Sequence, residues 1–319
     1  MKNPSFETLL NPMNSLYLYG LDNEFNNLIK LYNNQKLPKI ILLTGDKGIG
    51  KFTLIFHFIN YIFSSNSTLP YNYKKFFINN KNAFYKRVLM KTEQNFYYIG
   101  NARPNSASIE DIRNIKKNFF KSSLNNLPRF TVLDDVELLN INAANALLKL
   151  IEEPSIYDYF ILINNKKQKM IETLRSRSIE IKIFLKNEKK NKTLTSLKNN
   201  FKMENNFLDK YIDLTTPGML IIYNYILEEL KINEKENFYN IISKLIEQFK
   251  KNKNALYLDF VYFLIDIKFS ELVKKNKTSL LEILEIKNKL INLFNQYRNF
   301  NLNTETVLNQ FKNYSYYVR

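Results

Sequence analysis

Apolar positions along the chain follow two rhythms. Up to about residue 185, short unbroken apolar runs, Ile40 to Leu43, Phe130 to Leu133 and Tyr159 to Ile163, alternate with segments whose apolar residues return every three or four positions. Unbroken runs suit strands buried on both faces, and Asn95 to Gly100 reads as another. Ile179, Ile181 and Ile183, alternating with Glu180 and Lys182, suit a half-exposed strand. Helices are expected from about Asp22 to Tyr32, after the Gly20 turn, and beyond Gly50, where Ile55, Phe58, Ile59 and Ile62 recur at helical spacing. Another runs from Ser108, a good cap with Glu110 and Asp111 in the first turn, to about Ser122. A fourth, Asn142 to Glu152, is stopped by Pro154, which cannot continue it. Five strands spaced by helices predict an α/β fold with a five-stranded parallel sheet. The polar, aromatic-rich stretch of about Ser64 to Gln94 fits neither rhythm and is left without an element.

From Lys186 the strand rhythm stops. The run Lys186-Asn187-Glu188-Lys189-Lys190-Asn191-Lys192 is a solvated linker or helix start, and the remainder of the chain is helical. Breaks are expected near Thr215 to Gly218, Lys231 to Asn237, Lys250 to Asn254 and Lys274 to Thr278. The expected division is 1–185, an α/β domain; 186–233, a small helical domain; and 234–319, a larger helical one. Tyr257, Phe260, Tyr262, Phe263 and Phe269 are expected in the core of the last.

Composition narrows the chemistry. The chain has 319 residues and no cysteine, which excludes disulfides, zinc-thiolate modules and thiol catalysis together. One histidine, His57, excludes a histidine metal cluster and is expected on the surface or in the packing of its helix. The start lacks the layout of a signal peptide and no apolar run reaches membrane-spanning length, so a cytoplasmic location without a membrane partner is expected. The net charge of +17 admits two readings, a polyanionic partner or the Lys-, Asn- and Ile-rich coding of an AT-rich genome. Arg113, Lys116, Lys117 and Lys121 share one helical segment and could meet DNA phosphates or form a solvated face.

The sharpest motif lies where the first strand meets the second helix. In Thr44-Gly45-Asp46-Lys47-Gly48-Ile49-Gly50-Lys51-Phe52-Thr53, the glycines let backbone amides converge on an anion at a helix N-terminus, and Lys51 adds a point charge. Gly45, Gly48, Gly50 and Lys51 fit a phosphate loop, yet Phe52 stands where the pattern needs a magnesium-holding hydroxyl. Thr53 could substitute if the helix began one residue out of register. At the end of the third strand, Asp134 suits a magnesium-bound water and Asp135 the polarising of an attacking water, although Asp135 is shorter than the usual Glu. The alternative is a pair of carboxylates capping a turn.

Three further stretches make the pattern specific: Asp134 to Asn140, Asn142-Ala143-Ala144-Asn145-Ala146-Leu147-Leu148-Lys149-Leu150-Ile151-Glu152-Glu153-Pro154, and Leu174-Arg175-Ser176-Arg177-Ser178. Together with Asn11-Pro12 through Gly20 and Leu37-Pro38-Lys39, they resemble the clamp-loader branch of the AAA+ family over about residues 11 to 60 and 93 to 184. The resemblance implies an AAA+ P-loop domain with a helical lid and a helical collar that joins a hetero-pentamer. Such a ring opens a sliding clamp and places it on primed DNA. It also implies that Arg177, from a motif similar to the family's Ser-Arg-Cys with Ser178 replacing cysteine, reaches as an arginine finger to ATP held by a neighbouring subunit. A plain ion pair is the alternative for Arg177, and Arg175 is left as orientation or structure.

Departures from the family pattern favour a subunit without much ATPase of its own. Phe52 removes the hydroxyl for Mg; Asn164, or Asn165, stands where a sensor side chain would approach the terminal phosphate; and near Thr216-Pro217-Gly218-Met219 no second sensor arginine is found. Zinc, carried in the insert by many subunits of this kind, is excluded by the lack of cysteine. A non-motor subunit that completes the ring is the leading expectation. An active ATPase using Lys51, Thr53 and Asp134 is the second, and a basic DNA-binding protein with a relic nucleotide domain the third.

Overall fold

The computed structural model describes residues 11–100, 112, 127–152, 154–233, 235–275, 280–300 and 302–315. Of the helix expected between Ser108 and Ser122 only Ile112, helical and buried, is among them; Arg113, Lys116, Lys117 and Lys121 lie outside.

Every expected strand forms. β1 (Ile40–Thr44), β2 (Phe96–Ile99), β3 (Arg129–Asp134), β4 (Asp158–Asn164) and β5 (Ile179–Lys182) make one parallel sheet in the order β2-β3-β4-β1-β5. Successive side chains of a strand point to opposite faces, and the apolar runs divide accordingly. Ile41, Leu43, Phe130, Val132, Ile161 and Ile163 enter one core with helices α1 (Asp22–Asn33), α2 (Lys51–Ser64) and α3 (Ala83–Leu89). Leu42, Leu133, Phe160 and Leu162 enter the other with α4 (Ile141–Ile151) and α5 (Glu172–Ser176). Among the described residues β5 pairs only with β1, and its residue Ile179 is exposed while Ile183, just past the strand, is buried. This is the α/β fold with a five-stranded parallel sheet that the apolar pattern predicts, followed by a helical C-terminal region.

The stretch without an expected element is an ordered cover over α2. Ser64–Tyr71 returns beside the helix, a turn closed by Asn72 and Phe77 comes next, and then α3, capped by the Asn82 side chain, which accepts from Phe84 N–H and Tyr85 N–H. The same side chain donates to Ser67 Oγ and Leu69 O, both at 2.8 Å, and Phe63 stacks on Phe84 at 4.5 Å. His57 pins the cover to the N-terminal segment. Its Nε2 lies 2.9 Å from Ser15 O, which can only accept, so Nε2 carries the proton and Nδ1 accepts from the Tyr71 hydroxyl at 2.9 Å. Burial pushes this imidazole down to about 4 and keeps it neutral. Because both the sheet and the cover press on α2, that helix is buried at Phe52, Leu54, Ile55, Phe56, His57, Phe58 and Ile59, wider than the single apolar face its pattern predicts.

By internal contacts the chain forms two units, Met1–Met203 with Thr216–Met219, and Glu204–Thr215 with Leu220–Arg319. The first includes α6 (Asn187–Phe201). The second holds a 3-10 turn (Asp209–Leu214), α7 (Pro217–Glu229) from Leu220 on, α8 (Phe238–Asn252), α9 (Ala255–Lys275), α10 (Leu280–Phe300) and α11 (Thr304–Ser315). The four expected breaks fall between these helices; the break after Phe300 had no signal beyond Asn303, whose side chain caps α11. Ile241, Ile242, Leu245, Ile246 and Phe249 line one face of α8, and Tyr223 stacks on Phe260 and Phe263 at 4.5 and 5.0 Å. Tyr257, Phe260, Phe263 and Phe269 are buried as expected, while Tyr262 is half-buried with its hydroxyl on Asn295 Oδ1. Among the described residues no helix is long and apolar enough to cross a membrane.

One buried ion pair ties the sheet's core strands at their N-terminal ends. Arg129 and Asp158 face each other in register, with Nε to Oδ1 at 2.7 Å and Nη2 to Oδ2 at 3.1 Å, and both side chains are buried. Removing one partner strands a charge in a low dielectric. Asp158→Ala is therefore expected to lower unfolding free energy by about 3–5 kcal/mol in urea titrations, with Arg129→Met/Asp158→Leu recovering much of the loss.

Candidate nucleotide-binding site

β1 delivers the glycine loop to the C-terminal end of the sheet. Gly45 N–H donates to Asn164 O at 3.2 Å, and a Cβ at Gly45 would collide with the Ile183 carbonyl, so only glycine passes there. Gly48, at φ +80°, meets a segment far along the chain: Gly218 N–H donates to Gly48 O at 3.1 Å, and Thr216 Oγ1 donates to Lys47 O at 2.6 Å. A Cβ on Gly48 would sit 2.6 Å from Thr216 Oγ1, and one on Gly218 2.5 Å from Gly48 O. The segment that lacks a sensor arginine thus lies directly on the loop.

Lys51 opens α2 and is only 3% exposed. Its ammonium donates to Gly45 O at 2.5 Å and Asp46 O at 2.9 Å, both carbonyls of its own loop. Burial pushes it down to about 8, with Asp134, Glu137, Asp46 and Asp135 opposing. Asp46 itself pairs at the surface with Lys166, 3.0 Å away. Phe52 is buried, 4.4 Å from the ring of Tyr98 and 5.8 Å from that of Phe56, and Thr53 is half-buried beyond it.

The acids form a closed network. Asp134, at the end of β3, accepts from Asp135 N–H at 2.9 Å and from Asn165 Nδ2 at 2.8 Å. Burial and then the neighbouring Asp135 push its carboxyl up to about 6. Asp135, at φ 56°, accepts from the same Asn165 Nδ2 at 2.7 Å and pairs with Lys167 at 2.8 Å. Burial works against its charge, but Lys167 and Asn165 prevail and hold it below the usual carboxylate range. Glu137, which no sequence motif singles out, is 1% exposed and accepts from Asn165 N–H and Lys167 N–H. Of the two adjacent asparagines, Asn165 is the one turned to the carboxylates. Asn164, the other of the two sensor positions expected from the sequence, caps the strand-end turn by accepting from Lys166 N–H at 2.8 Å. The two differ because β4 ends at Asn164 and the turn rotates the next side chain inward.

The arginines lie elsewhere on the unit. Arg175 pairs with Glu180 at 3.2 Å. Arg177, at the end of α5, donates to Thr173 O at 3.2 Å and pairs with Glu152 at 3.2 Å; both Arg177 and Glu152 are exposed. Ser178 Oγ donates to Leu174 O, which closes that turn.

These residues do not fit a magnesium-bound triphosphate. The hydroxyl position is a core phenyl ring, the loop lysine is committed to the loop's own carbonyls, Asp135 is held by Lys167, and a backbone segment covers Gly48. Among the described residues no cluster of His, Cys, Asp or Glu could hold a metal ion.

The sequence model of a family described as DNA polymerase III, delta subunit, matches residues 20–187. A DNA polymerase III subunit delta' of Buchnera aphidicola subsp. Schizaphis graminum is 28% identical over 234 residues, 73% of this chain and 67% of that protein. Its counterpart from subsp. Acyrthosiphon pisum is 27% identical over 72% of this chain and 66% of that protein, so the match spans about two thirds of either relative. A gamma/tau subunit of Mycoplasma genitalium is 25% identical over 73% of this chain and 40% of its own length. Among solved structures, a DNA polymerase III gamma subunit-related protein from Thermotoga maritima covers 92% of this chain and 99% of its own at 16% identity and a TM-score of 0.44.

The raised carboxyl of Asp134 has a consequence for stability. Its value of about 6 in the fold lies above its ordinary 3.8, so folding takes up a proton between the two and stability falls as pH rises through that interval. Asp134→Asn is expected to raise the urea midpoint at pH 7.5 and to change it little at pH 3.5. Equal effects at both would refute the assignment.

Proposed function

The chain belongs to the DNA polymerase III delta subunit family, and on that premise we propose that it is a delta-prime-type, non-motor subunit of a replicative clamp loader. It completes a hetero-pentameric AAA+ ring with ATP-binding partner subunits, and through the ring acts on the sliding clamp and on primed DNA. Residues 1–185 form the AAA+ domain, 186–233 the lid and 234–319 the collar through which the subunits associate. The work of the ring takes place in the cytoplasm.

One contrast carries this reading: the chain's own phosphate loop is closed by its lysine and by Thr216–Met219, while Arg177 stands in solvent. The Arg177–Glu152 pair is exposed, and such pairs contribute about 0–1 kcal/mol. Arg177 is therefore cheaply released to a triphosphate on a neighbour, where a guanidinium neutralises the charge that develops on the transferred group. Gly45, Gly48, Gly50 and Lys51 then serve as a structural cradle. Asp134, Thr53 and Asn164 are the residues that would matter if this chain held ATP and Mg itself.

In a complex reconstituted with its ATP-binding partners, Arg177→Ala is expected to leave folding unchanged by circular dichroism. Turnover at the adjacent site should fall on the order of 10³-fold. Lys51→Ala should leave DNA-stimulated turnover intact, and the purified chain alone should hydrolyse no ATP. Rapid hydrolysis by the chain alone, abolished by Lys51→Ala, would establish an active ATPase in its place.

A further inference from the structure

The positive charge is not spread evenly. Of 47 basic and 30 acidic residues, 31 and 16 belong to the first unit but 16 and 14 to the second. Basic side chains are about equally dense in the two units, so the excess of the first comes from its scarcity of acids. Within the first unit, residues 64–94 carry six basic side chains and one acid, and that acid, Glu93, is taken by Arg87 at 2.8 Å. Lys74, Lys75, Lys81, Lys86 and Lys91 are exposed, and no side-chain partner is found for them among the described residues.

The tip of this segment is built for presentation. Asn72 and Phe77 exchange backbone hydrogen bonds at 2.9 and 3.1 Å around the turn Tyr73-Lys74-Lys75-Phe76, and Asn72 Oδ1 accepts from Lys75 N–H. The Tyr73 hydroxyl donates to Asn26 Oδ1 at 2.6 Å, and its ring lies about 6 Å from those of Phe25, Tyr61 and Phe76. The ring is fixed along one side and remains 46% exposed, with two exposed ammonium groups on the next two residues.

We propose that the Tyr73-Lys74-Lys75 turn is a contact site for single-stranded nucleic acid, with an unpaired base stacked on Tyr73 and flanking phosphates on Lys74 and Lys75. A lone anchored ring can stack only on a base free of its own duplex, whereas the lysines alone would serve any polyanion. The site is separate from the closed phosphate loop and from Arg177. It stands on charge and geometry of the first unit, whatever the fate of the clamp-loader reading.

The test is fluorescence anisotropy of the full chain with a labelled oligothymidine of about twelve nucleotides, a duplex of equal length and polyglutamate, between about 50 and 200 mM salt. The single strand should bind most tightly. Tyr73→Ala should weaken it at least about fivefold with the salt slope unchanged, and Tyr73→Phe, which keeps the ring, should retain most of the affinity. Lys74→Gln/Lys75→Gln should reduce the slope by about 1.4 and leave thermal unfolding untouched. Equal binding of duplex or polyglutamate, or an affinity and slope indifferent to both the tyrosine and the lysine variants, would overturn the proposal.

Discussion

A buried ammonium must find oxygen, and the arrangement of the site follows from how Lys51 finds it. With 3% of the residue exposed, the charge is met by two carbonyls of its own loop and faced by Asp134, Glu137, Asp46 and Asp135. So many acids gathered around one buried cation would repel one another. Lys167 on Asp135, Lys166 on Asp46 and the Asn165 amide between Asp134 and Asp135 reduce that repulsion. The ammonium of the loop lysine is consequently met by oxygens of the protein itself.

Much of this could be read from the chain itself because it depends on local rules. Unbroken apolar runs pointed to the buried strands, since a parallel sheet covered on both faces leaves no position for alternation, and the alternating run pointed to the edge strand β5. The helical breaks at Thr215, Lys231, Lys250 and Lys274 follow from turn residues. Three things were not legible, each for a physical reason. Residues 64–94 owe their structure to aromatic packing on α2 and to the His57 and Asn82 bonds, none of which leaves a periodic trace. The contact of Gly218 with Gly48 joins residues far apart in sequence, and nothing in either glycine names the other. Asn164 and Asn165 are chemically identical, and only the point at which β4 stops decides which faces the acids.

Arg177 and Lys51 show opposite uses of a cation. The lysine is desolvated and gives up part of its basicity; the arginine keeps its solvent and is only weakly attached to Glu152. A guanidinium held loosely at the surface can exchange partners readily, whereas an ammonium committed to buried carbonyls cannot do so without opening its loop.

The ring of Phe52 adds a constraint of an evolutionary kind. Replacing it with serine would restore the phosphate-loop pattern in a single step, yet it would also withdraw an aromatic wedge from between Phe56 and Tyr98 and leave a void of the sort that costs about 3–5 kcal/mol. Reversal would demand enlargement of its neighbours at the same time. A hydroxyl at this position is therefore closed off by volume as well as by chemistry.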